Sequence, residues 1–288
     1  MTVLARIDAA ALADATPALA HSTYGTAGPA AVAAARHPRR ARELRARRAV
    51  GRGVPRARAR TCWVSATRPR PRRGPTRAHA DALSSWLRAR GVDELHLVGF
   101  DFGGPTAVLL AAQHRVRSLT LAATNLFPDT PVPLPLRLAK LPGLGALMYR
   151  LALGRAGQMA MWRAAVADRT AFPFARYRAL LRDNTVRSTR RIFYASMRDL
   201  PGLYGEVARA AAALRVPAAV LWGDRDPFFP LAIGERTAET LGAELHVLRG
   251  CGHFVPEERP VEMARVIAAL VEQAEARSRT GALAGAPP

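Results

Sequence analysis

The sequence predicts an α/β fold: a mostly parallel, doubly wound sheet carrying an inserted helical cap. Three observations point there. From Pro75 onward, short apolar strands alternate with helical segments, the order that builds a parallel sheet. A glycine-rich turn, Gly99-Phe100-Asp101-Phe102-Gly103-Gly104, joins one strand directly to an apolar helix. Between Asn125 and Leu214 the texture turns helical, with Pro breaks and many aromatics, as in a cap inserted between two sheet strands.

The elements follow in order. Residues 1–30 form an N-terminal strand region, with a strand-like piece near Ala18–Tyr24. Residues 31–74 show neither a helical nor a strand period. Thr76–Arg90 has helical spacing, with Ala80, Leu83, Trp86 and Leu87 on one face. Glu94–Gly99 is a short apolar strand, Thr106–His114 an apolar helix and Val116–Ala123 a second strand. Residues 126–212 are the cap. Val216–Trp222 and Ala243–Leu248 return to the sheet, with helices at Ile233–Leu241 and Val261–Ala276. The core is thus 75–125 with 213–276, and Arg277–Pro288 reads as a flexible tail.

Composition excludes several classes. Hydrophobic residues make up 49% of 288, enough for a large core and against wholesale disorder. No apolar run approaches a membrane span and no secretory signal opens the chain, so a cytoplasmic location without a membrane partner is expected. Two cysteines, Cys62 and Cys251, make neither a disulfide scaffold nor a four-ligand zinc site, and no cofactor is expected. The net charge of +21 is uneven. Fifteen arginines and a single acid, Glu43, fall in 31–74. Arginine supplies 42 of the 43 basic residues, the bias of a GC-rich gene rather than of a basic binding surface, which argues against a nucleic-acid partner.

The chemistry sits on the glycine-rich turn. A sharp strand-to-helix turn holds its central residue in a strained conformation and needs glycines around it for clearance. It lifts that side chain above the sheet, beside a helix N-terminus that stabilises negative charge. The residue so presented is Asp101. Asp226 follows in Gly223-Asp224-Arg225-Asp226-Pro227, and His253 in Gly252-His253-Phe254, each after a strand.

Elbow, acid and histidine in this order resemble the α/β-hydrolase fold, and the aspartate elbow resembles the haloalkane dehalogenase and epoxide hydrolase type, over about residues 75–276. The resemblance implies that Asp101 attacks carbon to form an alkyl ester, and that His253 activates water to hydrolyse it. It implies that Asp226, directly before proline, orients His253, with Asp224 as the rival acid. The Phe102 N–H is an oxyanion donor. Asn125 ends a strand where some dehalogenases place an acid and is read as a hydrogen-bonding pocket residue. Trp162, Tyr177 and Tyr194 are assigned to the pocket, although such aromatics more often pack a core. Cys251 is read as a small buried filler. Phe102 stands where dehalogenases carry a halide-binding Trp. Epoxide hydrolases use cap tyrosines as acids, and Tyr149, Tyr177, Tyr194 and Tyr204 all fall in the cap region. The expected substrate is a small apolar epoxide or haloalkane.

The family's early His-Gly oxyanion motif and its Asp-x-x-Gly-x-Gly-x-Ser type turn are absent, and the Arg-rich tract lies in their place. Val32-Ala-Ala-Ala-Arg-His-Pro38 can be encoded GTT GCT GCT GCA CGG CAC CCC. Read one base later, this gives Leu-Leu-Leu-His-Gly-Thr-Pro. Bases encoding Ala59–Arg68, read two later, can give Ala-Asp-Leu-Leu-Gly-Phe-Gly-Asp-Ser. Residues of about 31–74 are therefore expected to be out-of-frame translation, through sequencing error or gene decay. The alternatives are an inactive hydrolase relic and a basic-arm nucleic-acid-binding protein.

Overall fold

The computed structural model describes residues 2–5, 19–24, 30–33, 58–64, 75–89, 91–92, 94–130, 138, 143–181 and 200–284. Eight strands form one mixed sheet: β1 (Thr2–Ala5), β2 (Leu19–Tyr24), β3 (Ala30–Ala33), β4 (Arg58–Val64), β5 (Glu94–Phe100), β6 (Arg115–Ala122), β7 (Ala218–Gly223) and β8 (Glu244–Leu248). Their order is β2-β4-β3-β1-β5-β6-β7-β8. β5 to β8 run parallel, and β3 is parallel to β4. β1 is antiparallel between β3 and β5, and β2 is antiparallel to β4.

Two departures from the sequence reading stand out. Residues 31–74 show no strand period, yet β4 lies wholly within them and β3 reaches in to Ala33. Sheet pairing is made by backbone N–H and C=O groups, so a neighbouring strand can recruit a segment whose side chains carry no alternation. The expected tail from Arg277 instead continues a helix to Ala284.

The described helices are α1 (Pro75–Arg88), α2 (Gly103–Ala111), α3 (Leu144–Leu153), α4 (Arg155–Ala165), α5 (Phe174–Leu180), α6 (Leu200–Ala213), α7 (Leu231–Leu241), α8 (Val255–Glu258) and α9 (Pro260–Ala284). Alternation along the strands divides them between two faces. Leu95 and Leu97 of β5, Leu119 and Leu121 of β6, and Val220 and Trp222 of β7 point to one side, where α1, α2, α6 and α7 pack. The predicted α1 face of Ala80, Leu83, Trp86 and Leu87 is buried there. Val98, Ala122 and Leu221 point to the other side, against Val255 of α8 and Met263 of α9. Among the described residues, no helix is long and apolar enough to cross a membrane.

A polar cluster ties α9 to the far end of the sheet. Buried His96 lies 2.7 Å from Ser118 Oγ through Nδ1 and 3.2 Å from Glu275 Oε1 through Nε2. Arg117 pairs with both Glu275 and Glu94. Burial holds the His96 imidazole below its ordinary 6.5, opposed by Glu275. Burial alone would raise Glu275, but Arg117 and then His96 pull it below 4.5. At both sites the unfolded chain binds more protons in acid, so stability falls with pH, through His96 from about 6.5 and through Glu275 below about 4.5. Urea unfolding at pH 7.5 and 5.5 is expected to show this loss, and His96→Asn to show a smaller one.

Candidate active site

β5 ends at Phe100 and α2 begins at Gly103, so Asp101 occupies the turn between them. Its φ is +51°, one of two positive values at non-glycine residues among those described. Such a conformation is strained for a residue with a side chain and persists only where its surroundings hold it. Here the Asp101 carbonyl accepts from the Gly104 N–H (3.0 Å) and the Thr124 hydroxyl (2.7 Å), and its N–H donates to the Ala122 carbonyl (3.3 Å). The flanking glycines are needed for space. A Cβ on Gly99 would lie 2.8 Å from the Gly104 Cα, and one on Gly104 would lie 2.1 Å from the Thr124 hydroxyl oxygen. Gly104→Ala is therefore expected to cost about 1–3 kcal/mol in chemical denaturation, because Thr124 must leave its bond to Asp101.

Asp226 and His253 arrive from the ends of β7 and β8. His253 Nδ1 lies 2.9 Å from Asp226 Oδ2, and the Asp226 side chain is fully buried. Its other oxygen accepts the N–H groups of Phe228 (2.8 Å) and Phe229 (3.2 Å), which fix the carboxylate. Asp224 does not meet the imidazole bond; its side chain accepts the Cys251 N–H at 3.3 Å. His253 Nε2 faces Asp101 Oδ1 at 3.9 Å, and the Asp101 side chain keeps 21% exposure. Phe100, Phe228, Phe229 and Phe254 surround the imidazole with ring centroids 4.9 to 5.7 Å away. The site sets one carboxylate, one imidazole and one orienting acid beside four phenylalanine rings.

The remaining expected residues divide. Phe102 caps α2 at its N-terminus, beside Asp101. Asn125 is buried, but its polar atoms serve its own loop: Nδ2 donates to the Phe127 carbonyl, and Oδ1 accepts from the Phe127 N–H and the Thr130 hydroxyl. These bonds make it the residue that holds its own turn. Trp162 gives its indole N–H to the Phe172 carbonyl (2.8 Å) and meets the Phe174 ring at a tilt of 51°, so it packs the cap. Tyr177 is buried with Phe172 and Val166 and meets Phe254 edge-on, next to His253. Burial pushes its hydroxyl up to about 12. Tyr194 lies outside the described residues. Cys251 is fully buried and its thiol is pushed up to about 12, first by burial, which makes it a poor nucleophile.

Two groups escaped residue-level assignment. Tyr204 of α6 is buried, and its hydroxyl is raised well above 10 by burial and by the Asp101 charge. Only its membership of the cap region was legible. Glu258, five residues past His253, is 2% exposed and accepts backbone N–H groups on both sides of the histidine. Its neighbourhood, Val255-Pro256-Glu257-Glu258-Arg259-Pro260, gives no sign along the chain that it is buried.

Comparison with known proteins agrees with this architecture. The Alpha/beta hydrolase family matches residues 42–266. Over 195 residues the chain is 30% identical to 2-hydroxy-6-oxononadienedioate/2-hydroxy-6-oxononatrienedioate hydrolase 1 of Dechloromonas aromatica (strain RCB). It is 28% identical to the corresponding hydrolase of Paraburkholderia xenovorans (strain LB400). Each match covers 66% of this chain, and the chain spans 66% of each relative's length. A haloalkane dehalogenase loop variant from Bradyrhizobium elkanii superposes with a TM-score of 0.59 at 20% identity, over 78% of this chain and 83% of that one. A meta-cleavage product hydrolase from Pseudomonas fluorescens IP01 gives 0.56 at 16%, over 76% and 80%. At these identities the superpositions show a shared fold. A strained elbow after β5, an acid after β7 and a histidine after β8, on a chain matched by the family from residue 42 to 266, place this protein in the alpha/beta hydrolase family.

Proposed function

We propose that the protein hydrolyses small apolar epoxides through a covalent ester on Asp101. The observation that carries this reading is an aspartate, not an alcohol or thiol, at the positive-φ elbow, 3.9 Å from His253 Nε2. A carboxylate displaces oxygen from a saturated carbon and leaves an ester that water can cleave.

In the first step an Asp101 oxygen bonds an epoxide carbon and the carbon–oxygen bond breaks. Tyr204 gives its proton to the departing oxygen. A phenol carries its proton at neutral pH and yields it as negative charge develops on that oxygen. In the second step His253 Nε2 takes a proton from water, and the hydroxide adds to the Asp101 carboxyl carbon. The Phe102 N–H steadies the oxyanion. The ester bond breaks, His253 returns its proton to the leaving alkoxide, a diol departs, and the proton left on the Asp101 carboxyl passes through water to the Tyr204 phenolate. Asp226 holds the imidazole and balances its transient charge.

The commitments of two indole groups and the presence of Phe102 favour epoxide over halide. Trp162 and Trp222 both donate their N–H to backbone carbonyls, of Phe172 and Phe229, and Phe102 has no such donor to offer. Single turnover in H₂¹⁸O tests the mechanism. The first diol is expected to be unlabelled, because its new oxygen comes from Asp101; label in that diol overturns the ester route. Turnover confined to 2-hydroxy-6-oxononadienedioate, the compound that names the relatives, would overturn the substrate class.

The proposal includes the out-of-frame origin of residues 31–74. Its support is that β3 and β4 fall where the offset readings carry Leu-Leu-Leu and Asp-Leu-Leu-Gly. Sequencing the DNA for residues 25–80 is expected to restore both motifs. Confirmation of the Arg-rich frame would instead favour the relic or the basic arm.

A further inference from the structure

We infer that Glu258 is the positioning residue that couples the His253 loop to the cap, and so sets the reach of His253 toward the ester on Asp101. This inference rests on the reading of His253 as the base of the second step. A single buried carboxylate gathers four backbone donors from two distant segments. Oε2 accepts from Gly252 (3.0 Å), Ala167 (2.9 Å) and Asp168 (2.8 Å), and Oε1 accepts from Phe254 (3.2 Å). Gly252 and Phe254 flank His253 directly. Ala167 and Asp168 follow the end of α4, in the cap.

The two segments touch at the histidine itself, whose N–H donates to the Ala165 carbonyl at 2.9 Å. No space separates them: a Cβ on Gly252 would lie 2.4 Å from that carbonyl oxygen and 2.9 Å from Glu258 Oε1. Outside the carboxylate, Arg259 repeats the tie. It binds Asp168 Oδ2 at 2.6 Å and the Gly250 carbonyl at 3.1 Å. Charge-assisted bonds to four converging N–H groups make a stiff junction, because each donor limits the freedom of the others. A shift of about 1 Å in a reacting group can cost on the order of a hundredfold in rate. The junction therefore acts on the step that His253 serves and not on the attack by Asp101.

Glu258→Gln is the test. The amide keeps the size but turns two hydrogens toward backbone donors. Ester hydrolysis is expected to slow on the order of tenfold to a hundredfold in rapid-quench kinetics, while alkylation of Asp101 keeps its rate. A loss that is merely structural would slow both steps together. Proton NMR gives a readout that needs no turnover. The downfield Nδ1–H signal of His253, identified by its disappearance in His253→Gln, is expected to move or broaden in Glu258→Gln. If epoxides are not substrates but this signal moves, the functional reading fails and the coupling stands. If Glu258→Gln does not fold, Asp168→Ala loosens the same junction from the cap side and is expected to shift the signal in the same direction. An unchanged signal, or equal slowing of both steps in a folded variant, overturns the inference.

Discussion

Asp101→Asn is expected to abolish turnover, lowering kcat/KM on the order of 10⁴-fold or more. The amide is nearly isosteric with the carboxylate but lacks its nucleophilic charge. The elbow that holds it is built from backbone and Thr124 contacts, none of which uses the side chain. The variant should therefore unfold within about 1 kcal/mol of the wild type. Steady-state hydrolysis of an apolar epoxide panel, paired with thermal unfolding, checks both halves. Retained activity would move the nucleophile elsewhere and leave the strained φ of +51° without a catalytic purpose.

His253→Gln is expected to stop the reaction halfway. Asp101 needs no base to attack, since a carboxylate, unlike an alcohol, is itself the nucleophile. The ester should form and then persist, because no group remains to take the proton from water. Intact-mass spectrometry should find one equivalent of enzyme heavier by the mass of the epoxide, with steady-state turnover down about 10³-fold or more. A base-assisted alcohol nucleophile would behave oppositely: loss of its histidine would prevent the covalent species. The same variant thus separates aspartate chemistry from the serine-type chemistry common on this fold.

Features that depend on near neighbours were legible along the chain. The α1 face was legible because Ala80, Leu83, Trp86 and Leu87 recur at helical spacing, and all four are buried. The central strands were legible because both faces of a parallel sheet are covered, so β5 and β7 read as continuous apolar runs. The elbow was legible because a tight strand-to-helix turn needs glycine: a Cβ on Gly99 would strike Gly104, five residues on. The choice of Asp226 over Asp224 rested on the proline that follows it, and the structure gives Asp226 the bond to His253.

Tertiary structure decided whatever depended on a partner far along the chain. β3 and β4 are held by backbone pairing that needs no side-chain pattern, so nothing in their composition announced them. Asn125 and Trp162 had the right chemistry for a pocket, but Phe127 and Phe172 take up their polar groups. Tyr204 gained its meaning only when α6 carried it within range of the Asp101 charge. Glu258 is the clearest case. Its four donors come from segments up to 91 residues away, and a carboxylate's role is set by which donors surround it once water is excluded. Patterns along the chain encode which elements form and which turn carries the nucleophile. Only packing brings distant polar groups together, and that burial decides whether each one binds, positions or merely fills.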